Sequence, residues 1–272
     1  MSAAAGFGGW DAAAFAGALG AGAIYAIGLR RSGGSATRRG GRRWRSACYF
    51  AGVAIAAAAL APQVVPRVDM RFAAHMAQHE ILMLVVPLLI ALARPSGVLL
   101  WGLPTPLRRG IARGARAPGI RRVAGYATTP AVAFAIQAGL LWLWHLPGAF
   151  DGALRHDSAH ALQHASFMGS AALFWWAVLH GRFGRAGYGA AAVFVFATAL
   201  NTGALGALLA IAPAPRYPTH AARAATHGID PLADQQLAGL LMWIPASVVL
   251  LAATLGLFAA WLGEARRRAD TA

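Results

Sequence analysis

Apolar stretches of roughly 20 residues, the length a helix needs to cross the hydrocarbon core of a bilayer, recur seven times along this chain. They run over residues 12–29, 47–65, 72–93, 127–145, 158–179, 188–212 and 237–262. Backbone polar groups in hydrocarbon must be satisfied within their own segment, so each stretch is predicted to be helical. The expected fold class is an all-α bundle of seven transmembrane helices, forming one domain over residues 1–272. Composition agrees: 58% of residues are hydrophobic and 12% charged, against about 25% charged in soluble domains. That balance excludes an ordinary soluble enzyme and, through its hydrophobicity, a disordered tail. The first stretch is not read as a signal peptide, because its arginines follow it instead of preceding it.

Charge then orients the bundle. The 24 basic residues against 9 acidic ones give a net charge of +15, and every basic residue is Arg. Nineteen of the 24 fall in alternate loops: seven within residues 30–45, seven within 94–122, then Arg182 and Arg185, and Arg266, Arg267 and Arg268. The intervening loops hold only Arg67, Arg71, Arg155, Arg216 and Arg223. The positive-inside rule predicts the N-terminus outside and the C-terminus in the cytoplasm. Arginines so placed meet anionic membrane lipid, and the charge requires no nucleic-acid partner. The loop Pro95–Tyr126 is expected to lie on the membrane surface as an amphipathic segment broken by Pro and Gly. The loop Pro213–Pro231 is the largest external one.

Absent residue types narrow the chemistry. Without Lys there is no Schiff base on Lys and no Walker-type phosphate lysine. Cys48 is the one cysteine, so neither an intramolecular disulfide nor a thiolate pair can form. No nucleophile, phosphate loop or catalytic dyad stands out, and the chain is not read as an enzyme.

The nine histidines carry the functional signal. His75 and His79 share one helix face at i,i+4, with Cβ atoms about 5–6 Å apart; His160 and His164 repeat the spacing. His156 would extend that row, but Asp157 or Ser158 is expected as the N-cap of its helix, leaving His156 outside. His145 ends the fourth stretch on the same predicted outer side. Ionisable groups within spans are costly and usually functional, and imidazole suits zinc, copper, iron and nickel. Two facing pairs would hold one or two such ions. One histidine on each of two helices is equally the arrangement of bis-His haem. His180, His220 and His227 are read as hydrated interfacial side chains. Met76, Met168 and Met242 offer thioethers suited to Cu(I) or simply fill the core. Glu80 is read either as a carboxylate orienting another histidine or as a group hydrated from an external cavity. Pro87 and Pro245 should kink their spans.

Three blocks carry a family resemblance: HMAQHEILMLVVPLLIALARP from His75, WHLPGAFDGALRHDSAHALQHASFMGSAALFWW from Trp144, and DQQLAGLLMWIPA from Asp234. Together they resemble the multi-span CtaG-type cytochrome c oxidase assembly factors associated with caa-type oxidases, over about residues 50–262. The resemblance implies a multi-pass protein of the bacterial plasma membrane that matures a haem–copper oxidase by handling copper, with nascent oxidase subunits as partners. The family's histidine positions match His75, His79, His145, His160 and His164. Glu80 stands where that pattern has a hydrophobic residue. The expectation is an external copper site, as Cu(I), with His75, His79, His160 and His164 as ligands and His145 and Met242 completing or adjoining it. Rival expectations are a haem-binding protein, a copper transporter and a metal-free assembly scaffold. The sequence specifies no oligomeric state.

Overall fold

The computed structural model describes residues 9–32, 39–65, 68, 70–181 and 187–270. Arg38, Arg67, Arg182 and Arg185, used above for orientation, lie outside the described residues, as does the side chain of Arg39. The described chain is helical, with no strand. Helix α1 spans Gly9–Arg31, α2 Arg39–Ala59 and α3 Phe72–Ala93. Three short helices follow: α4 Ser96–Gly102, α5 Thr105–Arg116 and α6 Pro118–Ala127. Then come α7 Pro130–His145, α8 Pro147–Arg155, α9 Asp157–His180, α10 Gly187–Ala210, α11 Pro218–Thr226 and α12 Pro231–Ala269.

Among the described residues, four helices are long and apolar enough to cross a membrane: α1, α3, α10 and α12. A fifth arises if α6 and α7, bent by 71° at Thr128–Thr129, count as one. Helices α2 and α9 have 21 and 24 residues, but arginines in the first and histidines in the second lower their apolar content. Helix α2 differs from its expected boundaries. It begins eight residues earlier than 47 and ends six before 65, because arginine is a good helix former and Pro62 disfavours helix at the residue before it. The segment from Ser96 to Ala127 forms three short helices, and α5 and α6 bury none of their side chains. Proline in the first turn opens α5, α6, α7, α8, α11 and α12, where its missing N–H costs nothing.

Close backbone approach locks the bundle at two places. A Cβ on Gly206 would lie 2.8 Å from the Gly239 carbonyl oxygen, and one on Gly239 would lie 2.5 Å from that of Gly206. Only glycine lets α10 and α12 meet so closely. On the other side, a Cβ on Gly28 would collide with the Val98 carbonyl oxygen and one on Gly102 with that of Ile24, which seats α4 against α1. Tyr25 and Tyr49 stack at 3.9 Å between α1 and α2. Between α7 and α10, Trp142 donates to Asn201 Oδ1 at 2.8 Å.

Helix α3 changes its winding just past His79. Residues Ile81–Val85 form a π-helical turn directly after Glu80. Pro87 has no N–H to give the carbonyl four residues back, and a widened turn is one way to absorb that loss. Pro245, by contrast, sits inside a continuous α12.

Candidate metal centre

Helices α3 and α9 bring the two histidine pairs together. One ring nitrogen from each of His75, His79, His160 and His164 lies within 4.8 Å of the others. His79 Nε2 and His164 Nε2 are 3.2 Å apart. A tetrahedral ion with metal–nitrogen bonds of about 2.0–2.1 Å holds its ligands about 3.3 Å apart. One edge of such a site is therefore already formed, and small ring rotations would bring in the rest. Within each pair the ring centroids are 4.4 Å apart, as i,i+4 spacing requires. His75, His79 and His164 are buried, and His160 is half-buried.

A buried hydrophobic cluster that includes Phe72, Met76, Leu141, Phe150, Phe167, Tyr217 and Met242 meets the histidines through Phe150, 5.7 Å from His75, and Phe167, 5.3 Å from His79, between ring centroids. Met242 belongs to this hydrophobic cluster, outside the four-histidine group. His145 also lies outside the group. Its Nδ1–H donates to the Leu141 carbonyl at 2.7 Å, leaving a buried Nε2 without a hydrogen-bond partner. That tautomer leaves the Nε2 lone pair available to a metal, as in metal-ligating histidines whose other nitrogen is bonded to a carbonyl. Both nitrogens of His75 and Nδ1 of His79 are likewise buried without hydrogen bonds. Unpaired buried polar atoms cost about 1–3 kcal/mol each, so their concentration here points to a ligand. Among the described residues no carboxylate joins the group. Imidazoles beside an apolar cluster form a neutral nitrogen-donor set, which fits a transition metal.

Distant residues aim the two helices. The Asp234 carboxylate, on α12, accepts hydrogen bonds from the amides of Phe72 at 2.6 Å and Ala73 at 3.4 Å. It caps the first turn of α3, which carries His75, and compensates the positive end of the helix dipole. Gln78 donates to the Ala59 carbonyl at 2.8 Å, tying α3 to the end of α2. Trp144 donates to Ser166 Oγ at 2.8 Å, which holds α7 against α9.

The segment between α10 and α12 is more structured than its sequence suggests. Tyr217 donates to the His145 carbonyl at 2.9 Å, and its ring lies 4.4 Å from that of Phe150. The Asp151 carboxylate accepts from the Thr219 amide at 3.2 Å, capping α11. These ties press His220 inward: it is 3% exposed, and its ring centroid is 5.2 Å from that of His75. Burial, helped by Arg223 and His160, pushes its imidazole down to about 3, so the ring is neutral. The expectation of a hydrated His220 is corrected, because long-range contacts fold the loop over the cluster.

Other expectations also change. The N-cap of α9 is His156, which is exposed and makes no side-chain cap, instead of Asp157 or Ser158. His180 is not simply hydrated: its Nε2 bonds the Ala91 carbonyl at 2.8 Å and its Nδ1 meets the Arg94 guanidinium at 2.8 Å. His227 is exposed, with Nδ1 2.8 Å from the Arg223 carbonyl oxygen. Glu80 lines a small cavity between α3, α7, α9, α10 and α12 with Gln137, Thr198 and Thr202. Its side chain leaves the helix about 100° from that of His79. Asp234, Tyr217 and His220 are the residues that sequence reading missed as parts of this centre. Tyr217 carried no local signal, Asp234 opened a family block with no role assigned to it, and His220 was placed in the predicted external loop but read as hydrated.

No curated protein and no solved structure matches the chain. A family does: the description "Cytochrome c oxidase caa3 assembly factor (Caa3_CtaG)" matches residues 23–264, a range containing every histidine of the cluster. This chain therefore belongs to the family of cytochrome c oxidase caa3 assembly factors.

Proposed function

We propose that the protein binds copper as Cu(I) at the four-histidine site and hands it to a nascent oxidase subunit. The observation that carries this reading is the convergence of His75, His79, His160 and His164 within 4.8 Å beside a buried apolar cluster. The cost of burying an ion grows with the square of its charge, and among the described residues no anionic ligand offsets it here. A monovalent ion therefore suits the site better than a divalent one. Copper is cargo in this reading, and the residues' task is to strip water from the ion, hold it and release it. His145 and Met242 adjoin the site and are the next donors available as ligands change.

The seven-helix arrangement, with the N-terminus outside and the C-terminus in the cytoplasm of a bacterial plasma membrane, is part of the same proposal. Helices α2 and α9 span beside the more apolar ones, their polar groups turned to the arginine-rich end and to the histidine cluster. In that orientation the site opens away from the cytoplasm, where a client subunit exposes its copper centre.

The test is anaerobic Cu(I) titration of detergent-purified protein against a competing chelator, beside a His160→Ala/His164→Ala variant. One tightly bound ion that the variant loses is the expected result; a folded wild-type protein that takes none overturns the reading. Haem is the second reading, favoured by an apolar crevice of about 340 Å³ between α1, α2 and α3 that reaches His164. A Soret band on adding haem, lost in the same variant, would establish it.

A further inference from the structure

His220 lies outside the four-histidine group yet is built into the same cluster. Its ring is 5.2 Å from His75, 5.0 Å from Phe72 and 5.8 Å from Phe150 between centroids. Both ring nitrogens are buried and make no hydrogen bond. A ring that served only to fill this aromatic space would be better as Phe, which carries no polar atoms to desolvate. Its helix is held by three bonds, two to α8 and one to the end of α7: Asp151 caps Thr219, Arg223 donates to the Leu154 carbonyl at 3.3 Å, and Tyr217 donates to the His145 carbonyl. His220 is therefore placed, not merely trapped.

Its position relative to the four is also ordered. His79 and His164 meet at 3.2 Å on the inner side, one helical turn further into α3 and α9 than His75 and His160. His75 and His160 stack at 5.8 Å between centroids, and His160 is the most exposed member of the group. His220 comes from the segment between α10 and α12 and adjoins this second, outer pair.

We propose that His220 is a fifth metal ligand, which with His75 and His160 forms an outer position through which a copper ion passes to and from the four-histidine site. The inference rests on the copper reading above. An incoming Cu(I) is taken by His220 and the outer pair, and exchange of His220 for His79 and His164 then draws it inward. Every ligand is a neutral imidazole before and after, so the ion stays Cu(I) and no proton moves. Delivery runs the same exchange outward.

The experiment is stopped-flow transfer of Cu(I) from a coloured chelator to purified protein, and back to excess chelator. It compares wild type with His220→Phe, which keeps an aromatic ring among Phe72 and Phe150, and with His220→Met, which restores a soft donor. The expected result is the same bound ion at equilibrium in all three, with transfer at least tenfold slower in the Phe variant and recovered in the Met variant. Wild-type rates in a folded Phe variant overturn the inference and leave the copper reading intact. Loss of the bound ion in a folded Phe variant also overturns it, by making His220 a permanent ligand. If wild type binds no Cu(I), the copper reading falls and takes this inference with it. Should the Phe variant not fold, His220→Gln takes its place, with slow transfer supporting the outer position and wild-type rates overturning it.

Discussion

Removing the carboxylate of Asp234 tests whether a contact across 162 residues of sequence aims the helix that carries His75 and His79. The carboxylate is 5% exposed and accepts from Phe72 N at 2.6 Å and Ala73 N at 3.4 Å. Hydrogen bonds to a charged group contribute about 1.5–3 kcal/mol, and a negative charge at a helix N-terminus adds about 0.3–1 kcal/mol. Asp234→Ala strands the short bond's donor in an apolar setting, so a loss of about 2–3 kcal/mol is expected. Asp234→Asn keeps one acceptor oxygen for Phe72 and loses the charge, which should cost about 1 kcal/mol. For a chain of this size, each kcal/mol moves a thermal midpoint by about 2–4 °C. The Ala variant should therefore melt about 5–10 °C below wild type, with the Asn variant between them. The assay is intrinsic tryptophan fluorescence on heating in detergent, at one scan rate because unfolding there is under kinetic control. His75 follows Phe72 by three residues, so the frayed turn should also weaken Cu(I) binding, about tenfold for 1.4 kcal/mol of added ordering cost. Thermal midpoints and Cu(I) affinity both equal to wild type in Asp234→Ala would refute the reasoning.

Four further expectations concern packing, the cover over the site and the orientation. Gly239→Ala places a methyl 2.5 Å from the Gly206 carbonyl oxygen and should lower the thermal midpoint, since α10 and α12 must separate, at about 1–3 kcal/mol. Gly17→Ala, whose added Cβ meets nothing within 4 Å, should leave the midpoint unchanged or raise it, by helix propensity worth up to about 1 kcal/mol; the same melts read both. Tyr217→Phe removes the 2.9 Å bond to the His145 carbonyl and should cost about 1 kcal/mol, seen as faster deuterium exchange across α11. In a Cys48→Ala background, a cysteine at Gly110 should react with a membrane-impermeant maleimide only in inverted vesicles and one at Thr226 only in intact cells; the opposite pattern would reverse the proposed orientation.

Much of the centre was legible because its signals are local. The spacings of His75 to His79 and of His160 to His164 are helix periodicity, and each pair indeed has its rings 4.4 Å apart. The family blocks at His75, Trp144 and Asp234 lie within the matched residues 23–264. What misled the reading was equally specific. Residues 213–230 look like a polar loop, and their folding over the site depends on Asp151 and on the carbonyl of His145. Seven apolar stretches are read as spans, and four or five of the described helices pass as membrane-crossing by length and apolarity, because α2 and α9 spend part of their length on arginines and histidines. Pro87 suggested a kink, and a five-residue π-helical turn, Ile81–Val85, ends two residues before it.

Composition, hydrophobic length and i,i+4 spacing act within a few turns of chain, and they determined the helical class, the membrane-length segments and the two histidine pairs. Whether those pairs face each other depends on how α3 and α9 rotate and translate in the bundle. That was decided by Asp234 capping α3 from α12, by Gly206 and Gly239 closing α10 onto α12, and by Trp144 holding α7 to Ser166. These contacts join residues far apart in sequence, so no local pattern encodes them. The convergence of four histidines, and the arrival of His220 beside them, exist only once the whole bundle is packed.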